Sequence, residues 1–175
     1  TTVNTQSTLA GGSNALTITG AADIDGAFTG ITNLSISGTS NIGANVTTTG
    51  TQTYAGAVTL SGGDRTLTGT TINTQSTLAG GNNALTVTGA TDIDGAFTGL
   101  TTLSVSGTSN IGANVTTSGT QTYAGAVTLS GGDRTLTGST VNTQSTLAGG
   151  NNALTITGAA AVSYTHLRAH ETLMN

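Results

Sequence analysis

His166 and His170 stand four residues apart, with Glu171 beside them. On a helix that spacing puts two imidazoles on one face, where with a carboxylate they could hold a transition metal. A second candidate is the pair Asp23 and Asp25 in "DIDG", repeated as Asp92 and Asp94. If the segment is a strand, the two carboxylates flanking Ile24 share one face, an arrangement suited to paired-acid hydrolysis or to calcium. The third candidate is a set of hydroxyl pairs, each straddling one aliphatic residue: Thr17/Thr19, Ser35/Ser37, Thr86/Thr88 and Thr155/Thr157. Stacked in register, such pairs form an outward Thr/Ser ladder able to meet ice or a glycan.

The histidine pair drops out first. Both histidines, the only methionine (Met174), the only glutamate and Arg168 crowd into the end of a chain that otherwise lacks His, Glu and Met. Up to Ala160 the sequence follows its earlier repeats, but "AVSYTHLRAHET" stands where "DIDGAFTG" is due. The eleven residues 162–172 resemble the translation of a transposon mosaic end and primer used as a sequencing-library adapter. A G left from the expected Asp codon, joined to the adapter's leading CT, gives the alanine codon found at Ala161. Residues 161–175 are therefore read as a non-native tail and set aside for fold and function alike. The tail is expected to leave the fold as coil or a short, poorly packed helix, since about a dozen residues are marginal for an isolated helix.

Without the tail there is no His, Glu, Lys or Cys, so nucleophilic triads, Schiff bases and thiolate metal sites are unavailable. No enzyme activity and no cofactor are expected. Asp23 and Asp25 read most simply as a solvated strand end with Ile24 turned inward. An EF-hand would need further acids and a closing Glu, and "SGGDRTL" lacks the alternating Gly and Asp of calcium-binding β-rolls. The aspartates Asp23, Asp25, Asp92 and Asp94 thus remain only weak metal candidates. Asp64 beside Arg65 reads as a solvated turn. A net charge of −4 argues against a nucleic-acid partner, which needs clustered Lys and Arg. No apolar run is long enough to span a membrane as a helix. The chain begins with Thr rather than Met, which leads to the expectation of an internal fragment.

The elements that would position these residues follow from a repeat. "NTQSTLAGG" begins at Asn4, Asn73 and Asn142, a period of 69. Residues 3–71 and 72–140 differ at nine positions, and four of these are the aliphatic swaps Val3/Ile72, Ile18/Val87, Ile31/Leu100 and Ile36/Val105. Within each unit an aliphatic–hydroxyl–aliphatic–hydroxyl–Gly run recurs, as "LTITG", "LSISG" and "VTLSG" from Leu16, Leu34 and Val58. Strict alternation means strands with one apolar face, and the Gly ends each strand. Strands this short bury that face only by stacking, so the pattern predicts an all-β, parallel β-solenoid over residues 1–160, with units 3–71, 72–140 and a partial 141–160. An antiparallel sandwich is the competitor, disfavoured because it needs distinct edge and central strands. One run per coil, at spacings of 18, 24 and 27, gives coils averaging about 23 residues. Leu16, Ile18, Leu34, Ile36, Val58 and Leu60 are expected inside, with their copies stacked further along the same interior. Tyr54, Tyr123, Phe28 and Phe97 are assigned to core or corner packing.

"GTQTYAGAVTLSGGDRTLTG", at 50–69 and 119–138, resembles the repeats of filamentous-haemagglutinin-like bacterial surface proteins, as do "NALTITG" and "GTSNIGANVTTTG". The resemblance implies a right-handed parallel β-helix serving as an adhesin shaft. It also implies an extracellular or cell-surface location, an outer-membrane secretion partner for the parent protein, and a receptor met by parts of the parent lying elsewhere. As shaft repeats, these residues inherit no site. The alternatives are a binding module using the Thr/Ser ladder, as ice-binding solenoids do, or a phage fibre segment. Unpaired end strands lead to the expectation that the fragment associates end to end.

Overall fold

A computed structural model of the protein describes residues 1–162. The expectations for residues 163–175, including His166, His170 and Glu171, lie outside the described residues. Strands run from Thr2–Thr5 to Leu154–Val162, all in one sheet whose pairings are parallel, and no helix occurs among the described residues. The sheet coils into a β-solenoid of about 8 turns, spaced about 19 residues apart. At about 4.8 Å per strand the rod is roughly 38 Å long.

Each turn has three faces, and each face has its own inward column. Face 1 stacks Val3, Ala22, Ser40, Val58, Leu78, Phe97, Val115, Leu136 and Ile156. Face 2 stacks Leu9, Phe28, Val46, Leu67, Val87, Val105, Tyr123, Thr143 and Val162. Face 3 stacks Leu16, Leu34, Gln52, Ile72, Thr91, Ser109, Val127 and Leu147. Together the columns form a continuous, mainly aliphatic lumen. Alternation works as expected: Ile18, Leu34, Ile36, Val58 and Leu60 are buried, while Thr17 and Thr19 are exposed. Leu16, in the first turn, is half-buried because no described residue pairs on its outer side.

The expected coil of about 23 residues is too long, and the reason is chemical. The alternation pattern catches only strands with two aliphatic residues inside. Short strands such as Ser40–Ile42, Val46–Thr48 and Gln52–Tyr54 turn Ser40, Thr48 and Gln52 into the lumen and so escape it.

The copies Leu85, Val87, Leu103, Val105, Val127 and Leu129 line the same interior as expected, but on other faces. Copies 69 residues apart do not share a column. Val3 on face 1 has its copy Ile72 on face 3, Leu9 on face 2 has Leu78 on face 1, and Leu16 on face 3 has Leu85 on face 2. The sequence unit spans three and two-thirds turns, so each copy lands one face back from the last.

Glycine marks the corners where coils approach most closely. A Cβ on Gly38 would lie 2.4 Å from the Gly20 carbonyl carbon, and Gly38 N–H donates to Gly20 O at 2.8 Å. Gly89 combines φ of +132° with a Cβ position 1.8 Å from Gly69 O, so no other residue fits there. The last strand carries the coil past Ala160, with Ala161 pairing Asn142 and Val162 pairing Thr143. Ladder hydrogen bonds use backbone groups alone, so the coil continues through these two residues regardless of their side chains. The outer edges of Thr2–Thr5 and Leu154–Val162 pair with no strand among the described residues, and Val3 and Val162 are the exposed large aliphatics.

Candidate functional site

The aspartates come first. Asp23 projects outward from the strand Ala21–Ile24 on face 1, between Asn4 and Asn41 of the neighbouring coils. Asn4 Nδ2 donates to Asp23 Oδ2 at 2.8 Å and Asn41 Nδ2 to Oδ1 at 2.7 Å. Both carboxylate oxygens therefore have neutral donors. The ladder returns on face 3 as Asn73, Asp92 and Asn110, where Asn110 Nδ2 donates to Asp92 Oδ1 at 2.8 Å. Asn73 Oδ1 is buried without a partner, and turning that amide over would give Asp92 the donor that Asn4 gives Asp23. Asp25 and Asp94 stand exposed at the turns beyond Ile24 and Ile93. Among the described residues no three His, Cys, Asp or Glu side chains gather as a metal site would require.

The predicted Thr/Ser ladder is not one column. Thr17 pairs with Ser35 on face 3, Thr86 with Thr66 and Ser104 on face 2, and Thr155 with Thr135 on face 1. Thr88 and Thr157 extend the plates on faces 2 and 1 through Thr68 and Thr137. The structure thus brings together Thr17, Thr19, Ser35 and Ser37, and separates this group from Thr86/Thr88 and from Thr155/Thr157. Ser37 is also diverted to the corner, where its Oγ accepts the Gly20 N–H at 2.9 Å.

Sequence reasoning missed a polar clamp inside the lumen. Gln52 and Gln121 are fully buried, and each faces the same way as a buried tyrosine two residues on. Gln52 Nε2 donates to Val46 O at 3.1 Å and Thr68 O at 2.8 Å, and Tyr54 OH donates to Gln52 Oε1 at 2.8 Å. Gln121 repeats this with Val115 O at 3.2 Å, Thr137 O at 2.7 Å and Tyr123 OH at 3.0 Å. Burial pushes both phenols well above their ordinary pKa of 10.0. The clamp satisfies carbonyls of two successive coils, which a hydrocarbon side chain could not do. "TQTY", unchanged in both units, carried the signal: Gln and Tyr at i and i+2 must face the same side.

Asp64 and Arg65 form turn caps rather than an ion pair. Asp64 Oδ1 accepts the Ala84 N–H of the next coil at 2.8 Å, and Arg65 Nε donates to Ser61 O at 2.9 Å. Asp133 and Arg134 repeat both contacts with Ala153 and Ser130. An open groove of about 290 Å³ lies on face 1 beside the first ladder, bordered by Thr2, Ala21, Thr39 and Thr59.

Comparison with known proteins finds no matching family model, no similar curated protein and no similar solved structure.

Proposed function

We propose that the chain is a shaft segment of a secreted or surface-anchored bacterial adhesin, acting mechanically by holding a distal binding region away from the cell. One observation carries this reading. Because the unit advances three and two-thirds turns, its exposed features visit all three faces in succession. A module that grips a flat lattice keeps its binding groups on one face, and here the Thr/Ser plates rotate away from each other. A rod has no such need, only a uniform lumen and regular stacking. The resemblance of "GTQTYAGAVTLSGGDRTLTG" to surface-adhesin repeats points the same way. On this reading the receptor is met by other parts of the parent, and export uses an outer-membrane partner.

The test is a ruler. Repeats placed between a cell-surface anchor and an epitope should raise the epitope by about 18 Å per added 69-residue unit, from the strand spacing. Height independent of unit number would reject the shaft. So would thermal hysteresis, or glycan binding that vanishes on Thr17→Leu and Thr86→Leu, since either would make the chain a binding module.

A further inference from the structure

We propose that Asn33, Asn45 and Asn114 are acceptor sites for N-linked sugars. The proposal stands on local geometry and does not rest on the adhesin reading. These asparagines open the segments Asn33-Leu34-Ser35, Asn45-Val46-Thr47 and Asn114-Val115-Thr116, and no other described asparagine begins an Asn-x-Ser/Thr triplet. Recognition of that triplet needs the amide and the hydroxyl two residues on to be reached together. Asn33 lies within the strand Phe28–Ile36, where i and i+2 share a face, and Asn45 and Asn114 directly precede the strands Val46–Thr48 and Val115–Thr117 that carry their hydroxyl residues. In all three cases the Asn and the hydroxyl residue are exposed while the central Leu34, Val46 or Val115 is buried in the lumen.

The hydrogen bonding separates these asparagines from six others. Asn33 Oδ1 accepts Thr51 N–H at 2.8 Å, Asn45 Oδ1 accepts Thr66 N–H at 2.9 Å, and Asn114 Oδ1 accepts Thr135 N–H at 2.9 Å. Each oxygen is tied to the next coil, and no hydrogen bond among the described residues engages the Nδ2. By contrast Asn4, Asn14, Asn41, Asn83, Asn110 and Asn152 all commit Nδ2 to a protein acceptor. Replacing one Nδ2 hydrogen of Asn45 by a sugar leaves its structural bond intact, whereas the same change at Asn41 would disrupt the Asp23 ladder.

Position completes the argument. Asn45 precedes Val46 at the corner between faces 1 and 2, Asn33 precedes Leu34 between faces 2 and 3, and Asn114 precedes Val115 between faces 3 and 1. The three sites thus fall on the three corners of the prism: Asn114 is the copy of Asn45 moved one face back, and Asn33, whose own copy is Thr102, takes the third. In the transfer, Nδ2 forms a bond to the anomeric carbon of a sugar activated on a diphosphate. The carbon–oxygen bond to the diphosphate breaks, and the Nδ2 proton leaves with the diphosphate; no oxidant or reductant is involved.

The experiment uses the folded full chain, produced where no such transferase acts. It is incubated with a soluble N-glycosyltransferase of Asn-x-Ser/Thr specificity and a nucleotide-activated hexose, then analysed by intact mass and peptide mapping. Up to three hexoses should be added, mapping to Asn33, Asn45 and Asn114. Asn45→Asp keeps the acceptor for Thr66 N–H but has no Nδ2, and Thr47→Val keeps the strand but removes the hydroxyl. Each should lose one hexose with an unchanged far-ultraviolet spectrum. No transfer to the folded chain, transfer only after denaturation, or equal labelling of Asn41 and Asn110 would overturn the proposal.

Discussion

Residues 3–71 and 72–140 differ at nine positions, yet the structure sets them on different faces of the same rod. Asp23 displays its ladder on face 1 and Asp92 on face 3; Tyr54 closes its clamp on face 3 and Tyr123 on face 2. Local environments survive the move because each residue's neighbours lie 17 to 21 positions along the chain and move with it. A repeat in such a solenoid need not be a whole number of turns. It need only be a whole number of faces, and this one has eleven. The two units should therefore respond alike to the same substitution wherever both have coils on either side, and differ only near an end.

The largest effect expected probes that difference. Phe97 is buried between Leu78 and Val115, and truncating it to Ala should cost about 3–5 kcal/mol through lost burial and a residual cavity. Phe28 is equally buried but stacks on Leu9, which is only half-covered in the first turn. A coil next to an open edge separates locally at less than the global cost. Phe28→Ala should therefore shift the urea midpoint less than Phe97→Ala, while raising hydrogen exchange in residues 2–18. Equal shifts would mean that the rod unfolds as one unit, without end fraying.

The lumen clamp should bring out the likeness. Gln121→Leu leaves the carbonyls of Val115 and Thr137 and the hydroxyl of Tyr123 without their partner. At about 1–3 kcal/mol per orphaned buried group, a loss of at least about 2 kcal/mol is expected. Adding Tyr123→Phe should recover part of it, because the hydroxyl is then no longer stranded. Gln52→Leu should match Gln121→Leu within about 0.5 kcal/mol, the usual scatter for equivalent independent sites. A clear mismatch would mean that the face, and not the neighbours, sets the environment.

Both clamps also predict alkaline sensitivity. Each phenol is neutral when folded, with a pKa raised by burial above its unfolded value of 10.0. The unfolded chain loses these protons first, so their contribution is complete below pH 10.0 and falls as pH rises above it. The slope should be about 1.4 kcal/mol per pH unit for each tyrosine. Tyr54→Phe and Tyr123→Phe should each halve it, and a stability curve flat from pH 9 to about 12 would contradict the burial of both rings.

The parts legible in the sequence are those that depend on alternation. Ile18, Ile36 and Leu60 point inward as their pattern requires, and the period of 69 forced a stacked, parallel fold. Coil length was not legible, because Ser40, Thr48 and Gln52 fill lumen positions where aliphatic residues were sought. The face occupied by each run was hidden for the same reason: without the coil length, nothing assigns runs 69 residues apart to different columns. The supposed ladder from Thr17 to Thr157 was drawn across three faces on that basis. Asp64 reads as an ordinary turn residue in the sequence, since its partner, the N–H group of Ala84, lies a full coil away.

The smallest effect concerns one of the nine differences. Ser13 and Asn82 occupy equivalent corners, between faces 2 and 3 and between faces 1 and 2, and share a left-handed backbone, with φ of 65° and 61°. They are the described non-glycine residues with positive φ, and both are exposed. Asparagine tolerates this conformation better than serine, because its short amide can bond locally to the backbone. Asn82→Ser should therefore destabilise the chain by about 0.5 kcal/mol, the scale of exposed substitutions. That corresponds to a fall in Tm of about 1–2 °C for a chain of this size. Ser13→Asn should strengthen the first coil by a similar amount locally. Since that coil opens before the rest, the gain should appear as slower hydrogen exchange around Leu9 and Leu16 rather than as a higher Tm. If Ser13→Asn instead raises Tm as much as Asn82→Ser lowers it, the first coil is not a separately opening end, and the two units are alike even at the edge.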